Sequence, residues 1–221
     1  MYLAIEGVIG VGKTTLARML QPTFQASLQL EIFEENPFLS DFYADRGRYA
    51  FQTQIFFLLS RYHQQRRAIP EILGREQNLI SDYTFDKDAL FARINLDGDE
   101  LEMYYRVHAA LAEKIPPPNL IVYLRADTDV LLQRIALRDR SYERNMEHSY
   151  IEELNSAYES YFDSRRTENP LPTAPVLIID TNHLDFVHWP GDLQRVENRI
   201  RQTLKITPFQ SEFPLDLVEE P

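Results

Sequence analysis

Nine residues near the start of the chain, Gly7-Val8-Ile9-Gly10-Val11-Gly12-Lys13-Thr14-Thr15, carry the spacing G-x-x-x-x-G-K-[ST]. The chemistry such a set performs is anion handling. Glycines let the backbone curl until successive N–H groups and the opening of the next helix converge on one phosphate. A lysine then reaches the outer phosphates, and the Thr14 hydroxyl is placed for Mg²⁺. The setting fits as well: Leu3-Ala4-Ile5 before the loop reads as a strand, and Leu16-Ala17-Arg18-Met19-Leu20 after it as a helix.

Carboxylates and arginines supply the other tools of phosphate chemistry. Glu31, with Glu34 and Glu35 close behind, follows one apolar stretch, and Asp82 ends another. A carboxylate beside an acceptor hydroxyl can take its proton, and one near Mg²⁺ can hold the metal directly or through water. Arg134, Arg138, Arg140 and Arg144 form a cluster that, on a mobile flap, would close over phosphates and neutralise charge spreading to a leaving oxygen. Arg61, Arg66 and Arg67 form a second basic cluster. Each has a plainer alternative: surface acidity or helix capping for the glutamates, a turn for Asp82, a solvated helix face for the arginines.

Only a fold that gathers these residues at one edge lets them act together. Strands are expected at Leu3–Ile5, Ser27–Ile32, Gln77–Asp82, Asn119–Leu124 and Val176–Asp180. The first helix should stop near Pro22. A long helix patterned on Phe51, Ile55, Leu58, Leu59 and Tyr62, with Gln52, Gln54, Arg61 and Gln65 falling between, should end at Pro70 to Gly74. Further helices are expected from Ala89, through Leu101 to Ile115 before Pro116-Pro117-Pro118, from Asp127 or Thr128 onward, from Tyr150 to about Phe162, and near Leu193–Leu204.

This alternation predicts an α/β three-layer sandwich of the P-loop kinase type, with a five-stranded parallel sheet flanked by helices. It is expected as a single domain over residues 1–205 with an arginine-rich lid at about 134–148. In such a sheet ligands collect outside the carboxyl ends of the strands, where the loop, Glu31 and Asp82 stand. Residues 206–221, acidic and with Pro208, Pro214 and Pro221, read as a loosely ordered tail whose Phe209, Phe213, Leu215 and Leu217 offer apolar docking contacts.

The 221 residues suit one domain with a sizeable core. The absence of cysteine excludes disulfides and thiolate metal sites, and the longest apolar run, Ile55–Leu59, is far too short to cross a bilayer. With no leader visible, a cytoplasmic location is expected. A formal charge of −11 argues against nucleic-acid and membrane partners and for small-molecule ligands met by local basic groups.

In order and spacing, the loop, Glu31-Ile32-Phe33-Glu34-Glu35-Asn36-Pro37-Phe38-Leu39, Phe42-Tyr43, Phe51-Gln52, Ser81-Asp82-Tyr83 and Arg134-x-x-x-Arg138-x-Arg140 resemble the deoxyribonucleoside kinase family, most of all its bacterial deoxyguanosine kinase branch. The resemblance implies that Glu31 is the base on the sugar 5′-hydroxyl. It also implies that Tyr43 bonds the 3′-hydroxyl, that Gln52 pairs with the base edge, that Asp82 adjoins substrate and metal, and that Arg134, Arg138 and Arg140 form the lid. A homodimer is implied too. One departure stands out: the family's acid-Arg-Ser triplet is here Asp82-Tyr83-Thr84. Its arginine is absent, and the load is expected to pass to Lys13 and the lid.

The expected reaction is ATP-dependent 5′-phosphorylation of a purine deoxyribonucleoside, deoxyguanosine ahead of deoxyadenosine. Mg²⁺ would sit on Thr14, and on Asp82 through water. Two rivals remain at this level. A nucleoside monophosphate kinase of the thymidylate kinase kind is disfavoured because it usually wants an arginine where Tyr83 sits. A slow nucleotide-binding switch is disfavoured by the paired acids Glu31 and Asp82.

Overall fold

The computed structural model describes residues 1–32, 35–140, 143–144, 146–167 and 174–206. Expectations for Glu34, for part of the lid and for the tail beyond Ile206 therefore lie outside the described residues.

Five parallel strands, β1 (Tyr2–Glu6), β2 (Ala26–Gln29), β3 (Asn78–Ser81), β4 (Leu120–Arg125) and β5 (Val176–Asp180), pair in the order β2-β3-β1-β4-β5. The helices are α1 (Lys13–Phe24), α2 (Leu39–Ala44), α3 (Arg46–Gly74), α4 (Lys87–Asn95), α5 (Gly98–Ala112), α6 (Thr128–Arg138), α7 (His148–Thr167) and α8 (Pro190–Leu204). Central β1 is buried throughout, and its side chains alternate between two cores. Leu3 and Ile5 join the larger core with Leu16 and Leu20 of α1, while Tyr2 and Ala4 pack with Ile69 of α3 and Leu79 of β3. Helices thus cover both faces, giving the three layers. No helix among the described residues is long and apolar enough to cross a membrane.

Topology fixes where ligands can go. After β1 the chain leaves toward β2 on one side, and after neighbouring β3 it leaves toward β4 on the other. The adjacent ends of β1 and β3 therefore diverge into a crevice, the place where open α/β sheets bind ligands.

Several expected boundaries shift. The second strand ends at Gln29 rather than Ile32, so Glu31 stands beyond the sheet, and the third runs Asn78–Ser81, which puts Asp82 just past it. The first helix ends at Phe24, near Pro22, and the long helix ends at Gly74, both as expected, with Pro22 and Pro70 inside their last stretches. Each removes one backbone donor from a final turn, where a tertiary contact can outweigh the loss. The pattern of α3 also differs from the apolar stripe of the sequence. Its buried positions are Ala50, Thr53, Gln54, Leu58, Arg61, Tyr62, Gln65 and Ile69, whereas Leu59 is 41% exposed. The spacing is still helical, but the inward face carries polar groups because it borders the crevice.

Candidate active site

Between β1 and α1 the chain turns on Gly7, Gly10 and Gly12, all at positive φ. At Gly10 (φ 88°) an added Cβ would lie 2.8 Å from both Ile135 Cγ1 and the Leu131 carbonyl oxygen, so the loop backbone seats directly on α6. Lys13 Nζ donates to the carbonyls of Gly7 at 2.7 Å and Val8 at 3.0 Å. The opening of α1 has no side-chain cap and no acid in its first turn, which leaves its N–H groups for an anion. Burial and then the charge of Lys87 lower the Lys13 ammonium to about 8. Beneath the loop, buried Glu6 accepts from Gly7 N and from both Thr84 N and Thr84 Oγ1, tying the loop to the segment after β3.

Asp82 joins three elements. Its Oδ2 accepts from Thr14 Oγ1 at 2.5 Å, its Oδ1 accepts from the Glu31 backbone N–H at 2.8 Å, and its own N–H donates to Gln29 O. Because β2 ends early, Glu31 is free of the sheet and turns its carboxylate onto two cations, Lys87 Nζ at 2.5 Å and the guanidinium of Arg61. Burial pushes this carboxyl up, but Lys87 and Arg61 outweigh it and hold Glu31 well below the usual carboxylate range. Arg61 also pairs with fully buried Asp88 and lies over the Phe57 ring, 4.5 Å from its centroid.

One cavity collects Lys13, Thr14, Glu31, Tyr43, Asp82, Arg138 and Arg140 from the residues singled out in the sequence, together with Ile9 of the loop. Leu39, Phe57 and Phe91 give it apolar walls, and Gln54 and Arg61 give it polar ones. The space it encloses is about 100 Å³, and it opens to solvent.

Gln52 does not line this cavity. It is exposed on α3, and Gln54, 2% exposed, presents its amide there instead. Two residues are about 200° of helix, so a reading two positions early turns the side chain to the opposite face.

The arginines also separate. Arg138 Nη2 donates to Glu143 Oε1 at 2.6 Å, and Arg140 lies 3.6 Å from the same carboxylate, so both are gathered by one buried acid. Arg134, expected in the same flap, is tethered elsewhere: it donates to Thr181 Oγ1 at 3.0 Å and Thr181 O at 2.6 Å, beyond the end of β5. There it borders a second cavity of about 710 Å³ on the other side of the loop, lined by Gly10, Val11, Gly12, Thr15, Asn182 and Phe186. Arg144 pairs with Asp139 on the exposed surface. Val8 is buried in the core.

Sequence reading missed Lys87, Asp88 and Glu143 and had Arg61 only as one of a basic cluster with Arg66 and Arg67, with a solvated helix face as its alternative. Tyr83, where the missing arginine would stand, is fully buried and bonded to Gln64 and Gln29. The cations paired directly with Glu31 are Lys87 and Arg61. The available signal was the spacing from Asp82 to Lys87 and Asp88, which open the helix that follows the acid after β3.

A family model described as deoxynucleoside kinase matches residues 3–205. The deoxyguanosine kinase of Bacillus subtilis (strain 168) is 37% identical over 203 residues, spanning 92% of this chain and 97% of that enzyme. The deoxyadenosine kinase of Dictyostelium discoideum is 34% identical over 165 residues, 72% of this chain and 66% of that one. A solved structure of the deoxyadenosine kinase from M. mycoides with bound dATP matches with a TM-score of 0.76 at 25% identity, covering 91% of this chain and 99% of that one.

Proposed function

The chain belongs to the deoxynucleoside kinase family and is a phosphotransferase of that type; from this premise we propose that it moves the γ-phosphoryl group of ATP to the 5′-hydroxyl of a purine deoxyribonucleoside, deoxyguanosine ahead of deoxyadenosine. The observation that carries the reading is the single cavity in which Glu31 stands across from Lys13 and Thr14, with Asp82 bonded to both sides.

Residues 7–15 serve as the P-loop for the donor phosphates, and the second cavity, between Arg134 and Phe186, takes the donor base. Thr14 Oγ1 and the Asp82 carboxylate are hard oxygen donors meeting at one point, which suits Mg²⁺. Among the described residues no three His, Cys, Asp or Glu side chains gather to hold a metal, so Thr14 and Asp82 would be the residues that hold such an ion. When bound, that ion offsets phosphate charge. Glu31 orients the 5′-hydroxyl and accepts its proton, Tyr43 meets the sugar, and Arg138 and Arg140 meet charge on the transferred group.

The base edge falls to Gln54 and Arg61. Arg61 Nε and Asp88 Oδ2 are buried without hydrogen-bond partners. A guanine edge presents two acceptors, which a guanidinium matches better than it matches the acceptor and donor of adenine. The functional unit is one domain over residues 1–205, acting in the cytoplasm on small molecules rather than nucleic acid. Exposed apolar side chains on the adjacent helices α3 and α5, Leu59 on the first and Met103 or Tyr105 on the second, supply surface for a homodimer.

The test is a panel of deoxynucleosides and nucleoside monophosphates with Mg-ATP, reading ADP and the phosphorylated product. Deoxyguanosine is expected to give the highest kcat/KM and a 5′-monophosphate. ADP release that ignores the added nucleoside would favour a switch, and activity on monophosphates alone would favour the other kinase class.

A further inference from the structure

We propose that Lys87 is a catalytic residue of this chain that moves between two anions, serving as the counter-ion of Glu31 in the structure and turning to the transferred phosphoryl group during reaction. The inference rests on the kinase reading above.

Lys87 opens α4, and its side chain is 7% exposed, yet it lines the same cavity as Lys13 and Thr14. Its backbone comes from the segment that Glu6 fastens to the loop through Gly7 and Thr84. The root of its side chain is therefore set relative to the phosphate site by a short bonded path, while the stem beyond it can turn. The charged groups that act on it are Glu31, Glu6 and Lys13.

Two observations separate Lys87 from a purely structural partner. Glu31 has two cations where one would neutralise it, and they are not equivalent. Arg61 is fixed by Asp88 and by the Phe57 ring and cannot leave without stranding a buried carboxylate. Lys87 has Glu31 as its direct ionic partner and the Phe91 ring 5.5 Å from Nζ, and its point charge on a flexible stem can swing. Second, Lys87 and Lys13 act repulsively on each other across the cavity, while Lys13 rests on two loop carbonyls. Two buried ammonium groups held within each other's field are relieved by an anion between them, and a phosphoryl group in flight is such an anion.

In the reaction the acceptor 5′-oxygen forms a bond to the γ-phosphorus. The bond from that phosphorus to the β–γ bridging oxygen breaks, and its electron pair leaves on ADP. The hydroxyl proton passes to Glu31, on the carboxylate oxygen that Lys87 has released. Lys87 and Lys13 then flank the equatorial oxygens, and Tyr83, turned into the core, takes no part.

The test uses the full chain with Lys87→Met and Lys87→Arg, measured by steady-state kinetics and by calorimetry. Native protein must first form a 5′-monophosphate from deoxyguanosine and Mg-ATP; if it forms none, the kinase reading falls and this proposal with it. With native activity in hand, Lys87→Met is expected to lower kcat about 10²- to 10³-fold, with the deoxyguanosine KM within about threefold. It should also lose the tight complex with ADP, aluminium fluoride and deoxyguanosine while binding ADP alone within about threefold. Lys87→Arg keeps a buried cation and so tests the proposal even where the methionine variant does not fold. Its planar fork should stay on Glu31, lowering kcat about tenfold. Native kcat in Lys87→Arg, or an undiminished aluminium fluoride complex in Lys87→Met, would overturn the proposal and leave the kinase reading intact.

Discussion

Replacing Arg61 with Met should destabilise the protein far more than the loss of one surface charge, because Arg61 is shared by two buried carboxylates. The side-chain exposures are 7% for Arg61, 0% for Asp88 and 15% for Glu31, so solvent screens little of the interaction. Glu31 keeps Lys87, but Asp88 loses the ion pair that the structure gives it. Breaking a buried pair from one side costs about 3–5 kcal/mol, against about 0–1 for an exposed pair. In a domain of this size each kcal/mol moves Tm by about 2–4 °C, giving an expected fall of about 6–20 °C. Asp88→Asn in the Arg61→Met background removes the stranded charge, so the double variant should regain about 1–3 kcal/mol relative to additivity. Thermal and urea melts of the two single variants and the double variant close the cycle. Additivity within about 0.5 kcal/mol, or a loss below about 1 kcal/mol in Arg61→Met, would refute the buried shared-cation account.

Gln54→Ala should raise the deoxyguanosine KM about tenfold or more, whereas Gln52→Ala on the exposed face should stay within about twofold; steady-state kinetics on both decide which amide reads the base. Gly10→Ala forces a side chain against Leu131 and Ile135 at positive φ, so stability should fall by about 1–3 kcal/mol, with ATP affinity falling in calorimetry. His108, stacked on Phe85 and hydrogen-bonded to its carbonyl, has its pKa lowered by burial from the ordinary 6.5. The unfolded chain therefore binds more protons in the window just below pH 6.5, and stability should fall as pH drops through it. Urea midpoints between pH 7 and 5 should show the loss, and His108→Phe should flatten that part of the profile.

What the sequence makes legible here is what is local. The loop could be read because its glycines, Lys13 and Thr14 lie within eight residues and their roles follow from backbone geometry. Strand order and the divergence of β1 and β3 were not read from it, though the alternation of elements gave the three layers, the parallel sheet and the carboxyl ends of the strands as the ligand edge. Reading failed where phase or long-range pairing decides. Gln52 and Gln54 are both polar on a helix, and only the docking of α3 shows which one faces inward. Arg61 and Lys87 meet Glu31 across 30 and 56 residues of chain, and Asp88 meets Arg61 across 27, relations no short pattern encodes. Arg134 and Arg138 share a helical face, yet one turn of separation is enough for Thr181 to take the first and Glu143 the second.

The central claim is that Glu31 is the base for a nucleoside hydroxyl facing a bound ATP, and a single-turnover measurement on Glu31→Gln tests it most directly. With enzyme in excess over labelled ATP and saturating deoxyguanosine, the native chain should convert ATP to ADP and 5′-monophosphate. The variant should do so about 10²- to 10⁴-fold more slowly, with its ATP affinity unchanged within about twofold. A variant that turns over at the native rate would contradict the account, as would native ADP formation at the same rate without deoxyguanosine.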